Sequence, residues 1–163
     1  MDSNDVCFDF VLLTERPGAR IARMPENDLS PAERTVGAVL DLMAGVDGTL
    51  IFEPQRFLDV ARHRPPAWWA TCFEAADRVG AVRFRQRLGL ALKIAGVHDV
   101  ADIELRALRI GALSERHIKL IEHVLFCLDN PEASLYERLA DYVHRNIDEI
   151  PDAVGLFSDA PKS

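Results

Sequence analysis

Cysteine, aromatic residues and long apolar runs are all scarce in this 163-residue chain. The three cysteines, Cys7, Cys72 and Cys127, are odd in number and far apart. They give neither a disulfide framework nor a zinc-ligand spacing. Cys72 and Cys127 each adjoin a Phe in apolar helical pattern and read as buried thiols. No apolar run approaches the roughly 18 residues of a membrane span, so no membrane role is expected. The opening "MDSNDVCFDFVLL" is acidic where a signal peptide is basic, and no small-residue cleavage site follows, so the expected location is the cytoplasm.

Catalytic signatures are equally thin. "GVDGTL" lacks the lysine and the preceding strand of a phosphate loop. There is no Gly-x-Ser-x-Gly elbow, and no serine is expected against a histidine. His63, His98, His117, His123 and His144 never recur at the i, i+4 spacing of a helical metal site. No catalytic residue, metal or cofactor is therefore assigned. A net charge of −7 opposes nucleic-acid phosphates at long range. The bases of "RFRQR" (Arg83, Arg85, Arg87) do not share one helical face or carry stacking aromatics, so no nucleic-acid partner is expected.

Helix signals dominate what is present. In "SPAERTVGAVLDLMAG", Ser30 is the N-cap, Pro31 the first helical residue and Glu33 the capping-box partner. Val36, Val39, Leu40 and Met43 follow at helical spacing. Pro54 opens a short helix with Phe57, Leu58 and Ala61 inward. Pro66 to Gly80 carries the stripe Trp69, Cys72, Phe73 and Ala76. The next segment turns Phe84, Leu88, Ala91, Leu92 and Ala95 inward and ends at Gly96. Asp99 is read as the cap of a short helix, Ser114 as the cap of one bearing Ile118, Ile121, Leu125 and Leu128. Asn130 and Pro131 start the last helix, lined by Leu135, Leu139, Tyr142 and Val143.

The class is all-α, a compact bundle of about six or seven helices with short loops. Residues 1–28 form an N-terminal arm or helix, 29–152 the all-α domain and 153–163 a C-terminal tail. "VCFDFVLL" has strand-like residues but no evident partner strand, so it is read as helix or extended arm.

Charge is unevenly spread. Seven acids lie between Asp129 and Asp152 against Arg138 and Arg145, while Arg78 to Lys93 holds five bases and no acid. Glu137, Asp141, His144 and Asp148 recur at four, three and four, a spacing that puts them on one helical face. A solvated acidic stripe is the expectation there, with a carboxylate–histidine ion or base site as the alternative. Trp68 and Trp69 cannot both face inward, so one sits at a helix seam or an interface.

The chain from Leu29 to Ile150 resembles the DNA-mimic-protein-like domain of unknown function, an all-α bacterial family. The matching stretches are "LSPAERTVGAVLDLMAGV", "FEAADRVGAVRFRQRLGLAL" and "LYERLADYVHRNIDEI". Where the family carries an Asn-Gly-Gly-type loop leading to a Gln and aromatics, this chain has "VDGTLIFEPQRF". Its Asp47-Gly48, Gln55 and Phe57 stand in those places. The resemblance implies an acidic dimer that imitates the charge of DNA and occupies a DNA-binding protein.

The first functional expectation is accordingly a non-enzymatic acidic interaction protein, a homodimer binding a protein partner. Glu137, Asp141, Asp148 and Glu149 supply its charge, and Tyr136 or Tyr142 its apolar anchor. The second is a small-molecule-binding regulatory module with a pocket near Trp68 and Trp69. In that reading Asp47, Gly48, Gln55, Phe57 and Trp68 line a groove; otherwise Asp47-Gly48 is a structural corner. An uncharacterised enzyme is the third.

Overall fold

Helix α3 (Pro31–Gly45) begins as its sequence dictates. The Ser30 hydroxyl accepts from the Glu33 amide at 3.1 Å, and the Ser30 amide donates to the Glu33 carboxylate at 2.7 Å. This reciprocal box satisfies two otherwise orphaned N–H groups. Glu33 is nonetheless 3% exposed, and it also forms an ion pair with Arg20 from the N-terminal segment. One carboxylate thus both starts α3 and ties down the chain that precedes it.

The computed structural model describes residues 6–45, 54–126, 135–153 and 155–159, and the domain is all-α. After α3 come α4 (Pro54–His63), α5 (Pro66–Arg78), α6 (Val82–Ile94), α7 (Ile103–Gly111), α8 (Glu115–Phe126) and α9 (Leu135–Arg145). Helix α5 packs against α3 and α6, α8 against α6 and α4, α7 against α4, and α9 against α3. Gly80 and Gly96, at φ +84° and +71°, end α5 and α6 in the left-handed region where a Cβ is disfavoured.

The inward stripes meet in one core. Val36, Val39, Leu88, Ala91, Ile121, Leu125, Leu139 and Val143 are all buried. Leu42 belongs there too, whereas Leu40, expected in the stripe, is only half-buried and faces the side of α3. Burying the Val, Leu and Ile side chains among these is worth roughly 1.5–3 kcal/mol each, so the periodic pattern largely decides the fold.

Two local expectations change. Asp102, not Asp99, caps α7, accepting from the Leu105 amide at 2.7 Å. Ser114 does lie against a histidine: its Oγ is 2.7 Å from His117 Nδ1. The reason is capping geometry, since Ser114 precedes α8 and His117 sits three residues on. The Asn130–Pro131 start and Leu128 fall outside the described residues.

The N-terminal segment combines both of its expected conformations. Val6–Phe8 (β1) pairs antiparallel with Phe157–Asp159 (β2), in the register Cys7 to Ser158. The partner that the sequence did not reveal is therefore the C-terminal segment. From Phe10 the chain is helical: α1 (Phe10–Leu13), a π-helical turn at Thr14–Gly18 and α2 (Ala19–Ile21). Pro17 lies inside that wider turn, where its missing N–H breaks the regular i→i−4 ladder. Leu13, Pro17 and Ile21, four apart, are buried.

A buried cation locks α7 to α4. Arg106, 3% exposed, donates to the carbonyls of Arg62 (2.9 Å), Val100 (2.9 Å) and Ala101 (2.6 Å), with His63 at 3.5 Å. Arg62 and His63 form the last turn of α4, where the unpaired carbonyls and the helix dipole both favour a positive charge.

Candidate functional site

One stripe of α3 is not buried in the core. Arg34, Gly37, Ala38, Asp41 and Ala44 recur every three or four residues and so share a face. The small residues let α2 come close: a Cβ on Gly37 would lie 2.8 Å from Ile21 Cγ2. Between this stripe, the α2 segment and α5 lies a groove of about 440 Å³. Ile21, Ala22 and Leu29 wall one side, Thr71 of α5 the other, and Glu26, Arg34 and Asp41 stand among its lining. A second cavity of about 230 Å³ continues past Thr35 to Glu74 and Arg78. The two share Glu26, Arg34, Ala38 and Thr71.

Polar groups fix the seam between α3 and α5. Trp68 Nε1 donates to Asp41 Oδ2 at 2.6 Å. Arg64 lies over the Trp68 ring, 4.8 Å from its centroid, with Nη2 3.8 Å from Asp41 Oδ1. Trp69 is buried 5.8 Å from Phe73, and Trp68 is half-buried, so the seam position falls to Trp68. The Cys72 thiol, 3.8 Å from the Ala38 carbonyl, is pushed up to about 12, first by burial and then by the Asp41 carboxylate, with Arg64 opposing. A thiol held neutral in this way is a poor nucleophile.

The groove expected along the "VDGTLIFEPQRF" corner is not the one observed. Asp47 and Gly48 lie outside the described residues. Gln55 is exposed on the first turn of α4, but Phe57 is 1% exposed, its ring 6.0 Å from Trp69. Phe57 is a core residue because its i, i+1 and i+4 positions form the inward stripe of α4, with Leu58 and Ala61 also buried.

The acidic quartet is also split. Glu137 and Asp141 are exposed on α9, which ends at Arg145; Asp148 and Glu149 are exposed on a separate 3-10 turn, Ile147–Glu149. The His144 ring packs on Phe157 at 4.8 Å, so β2 and not the carboxylates engages it. Among the described residues no group of three or more His, Cys, Asp or Glu could hold a metal ion. Tyr136 is 39% exposed, while Tyr142 packs against the core. Among the bases, Arg78 pairs with Glu74 at 2.6 Å and Arg85 with Asp77 at 3.1 Å, which breaks up the positive run. No described helix is long and apolar enough to cross a membrane.

Sequence reasoning missed the α3 groove. Its signal was present in the small residues Gly37, Ala38 and Ala44, which share a face with Arg34 and Asp41 opposite Val36 and Val39. Comparisons with protein-family models, with curated proteins and with solved structures find no match for this chain.

Proposed function

We propose that this domain is a non-enzymatic binding module that takes a small, largely apolar ligand in the groove between α3, the α2 segment and α5. The observation that carries this reading is the roughly 440 Å³ groove itself, floored by small residues and edged by charged ones. Its size lies within the few hundred Å³ usual for small-molecule sites, and an apolar body with few polar groups is their usual makeup. The pocket expected near the tryptophans is thereby relocated by one helix face, to the α3 side of α5. Saturation-transfer NMR with indole and 2-phenylethanol tests the reading. Transfer should occur with the parent protein and vanish in Thr71→Trp, which fills the groove from an exposed position. Transfer that persists unchanged in the variant puts the ligand elsewhere.

A second reading keeps the acidic surface as a protein-binding face in a homodimer, as the DNA-mimic resemblance implies. Supporting it, Glu137, Asp141, Asp148 and Glu149 are all exposed, and so is Tyr136. Arg138 and Arg145, exposed on the same helix, dilute the field. Exposed carboxylates of this kind raise encounter rates with a basic partner, and less so as salt rises. Reversing all four acids to Lys should abolish salt-dependent capture of a basic partner and leave the helical spectrum intact. Undiminished capture at low salt refutes this reading.

A further inference from the structure

The charges around the two cavities are not equally occupied. Asp41 is held by Trp68 and Arg64, and Glu74 by Arg78. Arg34 has one guanidinium N–H engaged, Nη1 to the Leu29 carbonyl at 2.8 Å. No carboxylate among the described residues lies within ion-pair distance of it. The Glu26 side chain likewise has no partner among them. These two open charges, of opposite sign, both stand at the waist shared by the cavities. Beyond the waist, Ile21, Ala22, Leu40 and Ala44 offer apolar surface.

We infer that the groove binds a free α-amino acid with a large apolar side chain, an inference that rests on the proposed binding role of this groove. Arg34 receives the α-carboxylate. Its anchored Nη1 orients the guanidinium, leaving other N–H groups for a charge-assisted contact. Glu26 receives the α-ammonium. The side chain lies in the apolar part of the groove, which has room for a phenyl or indole ring. Complementarity selects the zwitterion. A simple carboxylate meets Glu26 as a like charge and a simple amine meets Arg34, while a neutral compound satisfies neither.

Isothermal titration with four probes sharing one phenyl group tests this: L-phenylalanine, 3-phenylpropionate, phenethylamine and 2-phenylethanol. L-Phenylalanine should bind the parent protein at least about tenfold more tightly than the other three. Arg34→Gln and Glu26→Gln should each weaken its binding by about tenfold or more, the usual loss for one charge-assisted hydrogen bond. Both side chains are exposed, so the fold should survive, with circular dichroism as the control. The probe comparison needs no variant. If 2-phenylethanol binds as tightly as L-phenylalanine, or the variants leave L-phenylalanine unaffected, the amino-acid assignment falls and the groove remains an apolar site. If none of the four binds, both readings fall.

Discussion

Trp68 of α5 donates its indole N–H to Asp41 of α3 across 2.6 Å, bridging 27 residues of sequence. Arg64 lies over the same ring and reaches the same carboxylate. Three side chains, from α3, α5 and the turn between α4 and α5, therefore clamp the wall of the groove. Asp41→Ala removes the acceptor and the counter-charge together. The expected loss is about 1 kcal/mol, because the carboxylate and the guanidinium are both about half-exposed and solvent screens them. Urea unfolding followed by tryptophan fluorescence measures it, and an unchanged midpoint would show the clamp to be ornamental.

Arg106 is held far more deeply. Arg106→Met should cost about 2–4 kcal/mol, since it strips partners from carbonyls at the end of α4 and before α7. Arg106→Lys should recover little of this, because one ammonium cannot span carbonyls that a planar fork reaches together. Equal stability of the Lys variant and the parent would mean that charge alone suffices.

Much of this fold is legible because its signals are local. Ser30 and Glu33 lie three residues apart, and the sequence alone pairs them. The stripes of α6 and α9 are likewise periodic patterns within one helix. Contacts that join distant segments leave no such mark. Glu33 meeting Arg20, Arg106 reaching back to Arg62, and β1 finding β2 each depend on how finished helices pack. The groove is a case of the same kind. Gly37 reads as a weak point in a helix until Ile21 is seen lying against it. Asp148 joins the face of Glu137 and Asp141 only if the helix is extrapolated past its true end at Arg145, and nothing local in the sequence shows that the His144 ring meets Phe157.

Cys72 gives a pH prediction with a definite sign. Its folded thiol is raised from 9.0 to about 12, so the folded protein keeps a proton that the unfolded chain releases. The thiol's contribution is fully present below pH 9 and is lost as pH rises from about 9 toward 12. The slope is about 1.4 kcal/mol per pH unit for this one group. Denaturant titrations across that window should show the fall and should flatten it in Cys72→Ala. A parent and a variant with the same slope would remove Cys72 as the cause.

The capping box carries a further load through Arg20. Ser30→Ala should cost about 1 kcal/mol, the usual value of an N-cap. Glu33→Ala should cost about 2 kcal/mol, because it loses the box and also strands the partly buried Arg20 guanidinium. Chemical denaturation of both variants checks the order, and the reverse order would detach Arg20 from the stability of α3.

The groove on α3 is the central claim, and amide-resolved NMR titrations with 2-phenylethanol and with L-phenylalanine together test it most directly. The account predicts shifts confined to the groove, at Ala22, Arg34, Ala38 and Thr71, with Glu137 and Asp141 on α9 unmoved. Shifts that gather on α9, or no saturable shifts at any residue, would contradict it.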